Sequence, residues 1–105
     1  MYKNIDVGVA KKHFDNDTEF LDIREQFENT EIRIPRSKLI PMSQLNTRWQ
    51  EIPQDKEIVV YCRTGSRSAN LLGQLVNMGY TNLMNMEGGI VEWYKNQFPV
   101  EMGNG

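Results

Sequence analysis

The sequence predicts a single α/β domain, with about five strands in a mostly parallel sheet and helices on both faces. Three observations carry that expectation. Short apolar runs alternate with amphipathic stretches along the 105 residues, the pattern of βαβ units. The strongest apolar run, Glu57 to Tyr61, is rich in β-branched residues and lacks clean alternation, as expected of a strand covered on both faces. No internal repeat, low-complexity tract or long linker divides residues 1–105, and a chain of this length can bury one core.

Taken in order, Lys3 to Asp6 reads as a first strand. Val7, Ala10, Lys11 and Phe14 fall at helical spacing, so Val7 to Phe14 reads as a short helix. Glu19 to Ile23 is a strand, and Arg24 to Asn29 is one or two helical turns. Lys38 to Ile40 is a short strand between Pro35 and Pro41. Ser43 is placed as the N-cap of a helix through Trp49 that ends before Pro53. Glu57 to Tyr61 is the best-defined strand. Ala69 to Met78 is the best-defined helix, with Ala69, Leu72 and Val76 on one face and Leu71, Leu75 and Met78 beside them. Gly79 follows as its C′ residue. Gly73 is costly inside a helix, which suggests close packing against the sheet. Thr81 to Met86 is the last strand, Gly88-Gly89 a turn, and Ile90, Trp93, Tyr94 and Gln97 mark a final helix before Pro99.

Composition narrows the function. Hydrophobic residues make up 39% and charged residues 25%, values of a globular soluble chain. The net charge of -2 supplies no basic face for nucleic acid and no polybasic membrane anchor. No apolar stretch approaches membrane-span length, and the first six residues lack a signal-peptide core. The cytoplasm is the expected compartment. Cys62 is the sole cysteine, so an internal disulfide, a Cys-x-x-Cys redox pair and a multi-cysteine zinc site are excluded. If Cys62 carries sulfur, the group that removes it must come from outside. Neither a cofactor nor a metal is called for.

Cys62 lies between the best strand and the best helix, followed by Arg63-Thr64-Gly65-Ser66-Arg67-Ser68. Helix N-termini present unpaired N–H groups and partial positive charge. Gly65 allows the positive φ of a tight cradle, and successive N–H groups around one atom form an anion nest. Arg63 and Arg67 can fork onto sulfonate or phosphate oxygens. Ser66 and Ser68 add hydroxyl donors. A thiolate held there falls below the free-cysteine pKa of about 8.5, so Cys62 reads as a nucleophile rather than as packing.

These residues, with others, resemble a single-domain rhodanese, a sulfurtransferase. Phe20-Leu21-Asp22-Ile23-Arg24-Glu25 is similar to the family's hydrophobic-Asp-hydrophobic-Arg-Glu segment. Ile34-Pro35 with Leu39-Ile40-Pro41 resembles its His-Ile-Pro-Gly-Ala…Ile-Pro segment. Tyr61 to Ser68 resembles the active-site loop, and Glu87-Gly88-Gly89-Ile90 with Trp93 and Pro99-Val100-Glu101 the C-terminal signature. Arg33 stands where the family usually has His, and Arg36 where it usually has Gly. The resemblance implies one rhodanese-like domain over residues 1–105. It implies that the Cys62 thiolate takes sulfur from a donor such as thiosulfate and holds it as a persulfide, cradled by residues 63–68. An external thiol, small or on a thioredoxin-like protein, then accepts the sulfur.

Two other readings stay open. One is a phosphatase or arsenate reductase, but those usually place five residues between Cys and Arg. Here four separate Cys62 from Arg67, and Ser68 occupies the arginine's place. The other is a sulfur-relay module tuned to a protein partner. Asp22, Arg24, Gly88 and Gly89 are candidate pocket-lining residues. For Asp22, Arg24 and Glu25 a salt-bridged structural cluster is the stronger expectation, and for Gly88 and Gly89 a turn. His13 is expected at the surface, Trp49 and Trp93 as core anchors, Met78, Met84 and Met86 as core filler, and Met102 to Gly105 as a frayed end.

Overall fold

Five segments become strands: β1 (Lys3–Ile5), β2 (Glu19–Asp22), β3 (Lys38–Leu39), β4 (Ile58–Tyr61) and β5 (Leu83–Met86). The structure is a computed structural model and describes residues 1–103. The strands form one all-parallel sheet in the order β1-β5-β4-β2-β3. β4 is central, and all four of its residues are buried, which explains why its sequence does not alternate. In register, Val60 faces Leu21 on one side and Asn85 on the other.

The helices are α1 (Val7–Asp15), α2 (Gln26–Glu31), α3 (Leu45–Arg48), α4 (Ser66–Asn77) and α5 (Gly89–Lys95). Side chains of β4 alternate between two cores. Ile58, Val60 and Cys62 join Leu45, Leu71, Leu72, Leu75 and Tyr80 on the α3–α4 side. Val59 and Tyr61 join Val7, Ala10, Phe20, Ile90 and Trp93 on the α1–α5 side. Trp93 is fully buried, with edge-on rings of Phe14, Phe20 and Phe98 at 5.6, 5.8 and 5.1 Å. Such pairs add to the stabilisation from area burial.

Several local expectations need correction. The helix after the cysteine loop starts at Ser66, three residues earlier than its apolar pattern suggested, because Gly65 at φ +102° turns the chain directly into it. Ser43 is not an N-cap. A 3₁₀ turn begins at Met42 after Pro41, and the Ser43 hydroxyl instead donates to Glu25 Oε1 at 2.7 Å. The expected helix through Trp49 is one α turn between two 3₁₀ turns, with Leu45 its sole buried residue. One apolar anchor does not sustain a longer helix. α2 lies two residues downstream of its expected start, at Gln26–Glu31, because Arg24 turns inward onto Asp22. Met84 and Met86 fill the core, but Met78 at the end of α4 is 46% exposed. Trp49 is half-buried at the core's edge. His13 is half-buried beside the Thr18 hydroxyl.

The two family departures have distinct accounts. Arg36 takes φ +65°, a conformation that suits glycine. Its guanidinium lies 4.2 Å from the Phe14 ring centroid and pairs with Asp17, contacts that offset the strain. Arg33 forms an antiparallel bridge with Glu101 and donates to the Gly103 carbonyl at 2.7 Å. The chain end is therefore tied down through Gly103. The rest of the expected frayed end, Asn104 and Gly105, lies outside the described residues.

Gly73 is also corrected. A Cβ built there meets nothing within 4 Å, so it is not a close-packing residue. Gly73→Ala should therefore stabilise the domain by about 1 kcal/mol and raise Tm by ~4–8 °C. A thermal melt showing no increase would mean that α4 packs more tightly at this point than the backbone shows.

Candidate active site

Cys62 follows central β4 at its carboxyl end, where parallel α/β sheets place their ligands. It is 1% exposed. Its Sγ accepts the N–H of Gly65 at 3.1 Å and of Ser68 at 3.4 Å, with Ser68 Oγ also 3.4 Å away. Gly65 makes this ring possible. Its φ is +102°, and a Cβ there would lie 3.2 Å from the Gly88 N–H nitrogen. Because α4 starts at Ser66, the Ser68 N–H belongs to the first helical turn and has no intrahelical partner to seek.

The loop is held from beneath. Ile90 N–H donates to the Cys62 carbonyl at 3.0 Å and Val91 N–H to the Arg63 carbonyl at 3.1 Å. Gly89 permits this approach, since a Cβ on it would come within 2.3 Å of the Arg63 carbonyl oxygen. Gly88 and Gly89 thus start α5 and support the loop backbone.

Burial pushes the Cys62 thiol up. Hydrogen bonds from the Ser68 hydroxyl and N–H, and from the N–H groups of Gly65 and Thr64, outweigh it, so the pKa lies below the ordinary cysteine value. The Ser68 hydroxyl has one proton and three acceptors: Sγ, the Gly65 carbonyl at 3.1 Å, and Asn85 Oδ1. The N–H groups are therefore the constant part of the cradle, and the hydroxyl proton is contested among its three acceptors.

The two loop arginines differ. Arg63 is exposed, and among the described residues its side chain has no hydrogen-bond or ion-pair partner. Arg67 is clasped by Glu28 of α2, Nη1 to Oε1 at 3.0 Å and Nη2 to Oε2 at 2.9 Å. That pairing raises the Arg67 pKa, with the charge of Cys62 a smaller contributor. The Arg67 hydrogen bonds hold Glu28 down to about 2 against burial, with help from Glu25. Thr64 and Ser66 are exposed, while Ser68 is fully buried.

Asp22 and Arg24 form a buried fork, Nε to Oδ1 at 3.0 Å and Nη2 to Oδ2 at 2.8 Å. Asn29 Nδ2 donates to Asp22 Oδ2 at 3.0 Å, and Arg24 Nη2 to the Ile32 carbonyl at 2.6 Å. This cluster fixes α2 against the sheet. Arg24 also lines a cleft of about 610 Å³ with Phe27, Glu28, Arg63, Tyr94 and Lys95. Asp22 lies behind Arg24 rather than on the cleft wall. Among the described residues, no cluster of three His, Cys, Asp or Glu side chains is placed to hold a metal ion.

Sequence reasoning missed Glu28 and Asn85. Glu28 lies 39 residues from Arg67, with no local signal linking them. Asn85 was legible in principle. It is a polar residue inside an otherwise apolar strand, and such a residue needs a buried partner.

A fold of this topology with a cysteine so cradled defines a class, and comparison with known proteins gives the same class. The model of the rhodanese-like domain matches residues 6–96. A protein named sulfurtransferase in Allochromatium vinosum is 36% identical over 84 residues, covering 80% of this chain and 78% of that one. Thiosulfate sulfurtransferase 18 of Arabidopsis thaliana is 26% identical over 111 residues, covering 92% and 82%. The crystal structure of a rhodanese-related protein from Thermoplasma volcanium superposes with a TM-score of 0.88 at 33% identity, covering 96% and 99%. The chain belongs to the rhodanese-like domain family. Relatives bearing the sulfurtransferase name support sulfur transfer as its general activity.

Two measurements test the site. The rate of Cys62 alkylation against pH should reach half its maximum below the midpoint of a free thiol. Ser68→Ala should move that midpoint upward without abolishing the depression, because the N–H donors remain. A wild-type midpoint at or above the free-thiol value would count against the cradle. The second concerns acid stability. The Glu28 pKa is about 2 in the folded protein against an ordinary 4.5. Its stabilisation is complete above 4.5 and is lost as pH falls toward about 2. Chemical denaturation of Glu28→Gln should show a shallower loss of stability across that window than wild type; identical slopes would argue against the pairing.

Proposed function

We propose that the protein is a sulfurtransferase that carries sulfane sulfur as a persulfide on Cys62, taken from thiosulfate or a persulfide donor and given to an external thiol. The observation that carries this reading is the ring of Gly65 and Ser68 N–H groups on Sγ at 3.1 and 3.4 Å. Those donors favour an anionic sulfur before and after loading.

The thiolate attacks the outer sulfur of the donor. A bond from Sγ to that sulfur forms, and the donor's S–S bond breaks. With thiosulfate the thiolate pair becomes the new S–S bond, the pair of the broken bond leaves on sulfite, and the transferred sulfur keeps its negative charge as the outer sulfur of the persulfide. An incoming thiolate then takes the outer sulfur and returns the electron pair to Sγ, a double displacement. Cys62 is the nucleophile, residues 63–68 cradle the persulfide, and the exposed Arg63 attracts the anionic donor. The acceptor is a small thiol or a thioredoxin-like protein. A reducing compartment such as the cytoplasm keeps the lone thiol free.

One observation favours a relay variant of this reading, in which a protein is the partner. Phe27 and Tyr94 line the cleft beside Arg63 and are 72% and 53% exposed, and solvent-exposed aromatics of this kind suit a protein contact. The phosphatase reading has less support, because Ser68 stands where its arginine would be and Arg67 is held by Glu28.

Intact mass after incubation with thiosulfate, and separately with a small persulfide, should show a gain of one sulfur that is absent in Cys62→Ser. Small and protein thiols then compete to discharge it. No gain with either donor overturns the proposal. Aryl phosphate hydrolysis that is lost in Cys62→Ser would favour the phosphatase reading.

A further inference from the structure

The charges around the cysteine loop largely cancel. Arg24 is neutralised by Asp22 through a buried fork. Arg67 is neutralised by Glu28 through two hydrogen bonds of 3.0 and 2.9 Å, a bidentate geometry that holds the guanidinium end-on. Glu28 also lines the cleft beside the loop, as does Glu31, whose charge opposes one of the two remaining cations, Arg63 and Lys95. The entrance is left with one net positive charge. What holds the sulfur itself is a set of uncharged donors, the N–H groups of Gly65 and Ser68.

Such a site suits one negative charge on sulfur and is poor for a small dianion. Thiosulfate brings two charges and must be desolvated to reach a cysteine that is 1% exposed. A free Arg67 would offset that cost, but the Glu28 carboxylate takes one N–H of each Nη group and neutralises the guanidinium charge. A persulfide brings a terminal sulfur with one charge at most. Its transfer balances without an oxyanion: the Cys62 thiolate bonds to the terminal sulfur of R–S–SH, the donor's S–S bond breaks, R–S⁻ leaves with the electron pair, and the proton stays on the transferred sulfur.

We infer that Glu28 is a specificity-determining residue, which by clasping Arg67 makes the site prefer persulfide donors over the thiosulfate dianion. This rests on the sulfur-transfer reading above and narrows its donor.

The test separates the two ideas by measuring binding apart from turnover. In the Cys62→Ser background, thiosulfate binding is measured by calorimetry with and without Glu28→Gln. The Gln variant keeps the shape and removes the charge. It should bind thiosulfate at least roughly five-fold tighter, and the gain should shrink with added salt. The gain should vanish when Arg67→Ala is added, as a double-mutant cycle reports. Unchanged or weaker binding overturns the inference, as does a gain that persists without Arg67. In turnover, Glu28→Gln should lower KM for thiosulfate by roughly five-fold with kcat unchanged, and leave kcat/KM for a small persulfide within about two-fold. A merely structural role would depress both donors together. The unmodified protein supplies a check that needs no variant: kcat/KM for the persulfide should exceed that for thiosulfate by at least roughly ten-fold, and the reverse order overturns the inference. Loading of Cys62 by neither donor would overturn the sulfurtransferase reading, while the binding arm would still decide what Glu28 does to an anion.

Discussion

The carbonyl oxygens of Cys62 and Arg63 are bound to the first N–H groups of α5, and the geometry of the site depends on this constraint. A peptide unit directs its N–H and C=O oppositely. Once the loop's carbonyls point down to Ile90 and Val91, its later N–H groups are free to converge on Sγ. The contact requires two residues without a side chain. At Gly89 a Cβ would collide with the Arg63 carbonyl, and at Gly65 the chain must turn at φ +102° directly over Gly88. The two glycines come from opposite ends of β5 and its helix connections, so the cradle is a tertiary object even though its donors are local in sequence.

A second layer holds the surroundings in place. The Asp22–Arg24 fork is buried, with Asn29 donating to Asp22 Oδ2 and Arg24 Nη2 also donating to the Ile32 carbonyl, both partners beside or on α2. A buried ion pair adds little net stability, and removing one partner is costly because a buried charge is left alone. Its effect here is positional. It fixes where α2 begins, and α2 carries Glu28 to Arg67. Tyr61 extends the same wall: its hydroxyl accepts the Ile34 N–H at 3.2 Å and lies 2.9 Å from Ser37 Oγ. Burial, with the Asp22 charge adding to it, raises the Tyr61 pKa and keeps the phenol neutral.

The parts of the fold and site legible in the sequence are those set by short-range pattern. β4 announced itself by its β-branched run, and the Cys62 loop by a nucleophile, a glycine and hydroxyls at fixed spacing. The extent of α4 was less legible, because Ser66, Arg67 and Ser68 have the composition of a loop and are helical only because Gly65 launches them. Periodicity placed Met78 in the core, whereas the buried face of α4 runs through Ser68, Leu71, Leu72 and Leu75. Gly73 looked like a packing device and faces open space. The pairing of Arg67 with Glu28 had no local trace, since it depends on where the Asp22–Arg24 fork sets α2. Both loop arginines read from the sequence as charge for a substrate, and among the described residues the structure gives Arg67, but not Arg63, an internal partner.

That pairing bears on reactivity as well as on the donor preference inferred above. A full cation against Sγ lowers the thiol pKa further, but nucleophilicity falls along with pKa, and a thiolate that is too stable attacks slowly. A thiol ionised by hydrogen bonds alone keeps more of its basicity. The cradle at Cys62 is of that second kind: its direct contacts are N–H dipoles and one hydroxyl, and the Arg67 guanidinium is shared with a carboxylate. In the persulfide state proposed above, the same dipoles face a charge that lies one atom further out, on the terminal sulfur. Under the proposed sulfur transfer Cys62 must both accept sulfur and release it, and a thiol pKa set by dipoles, with Arg67 neutralised by Glu28, keeps the thiolate reactive for the first step.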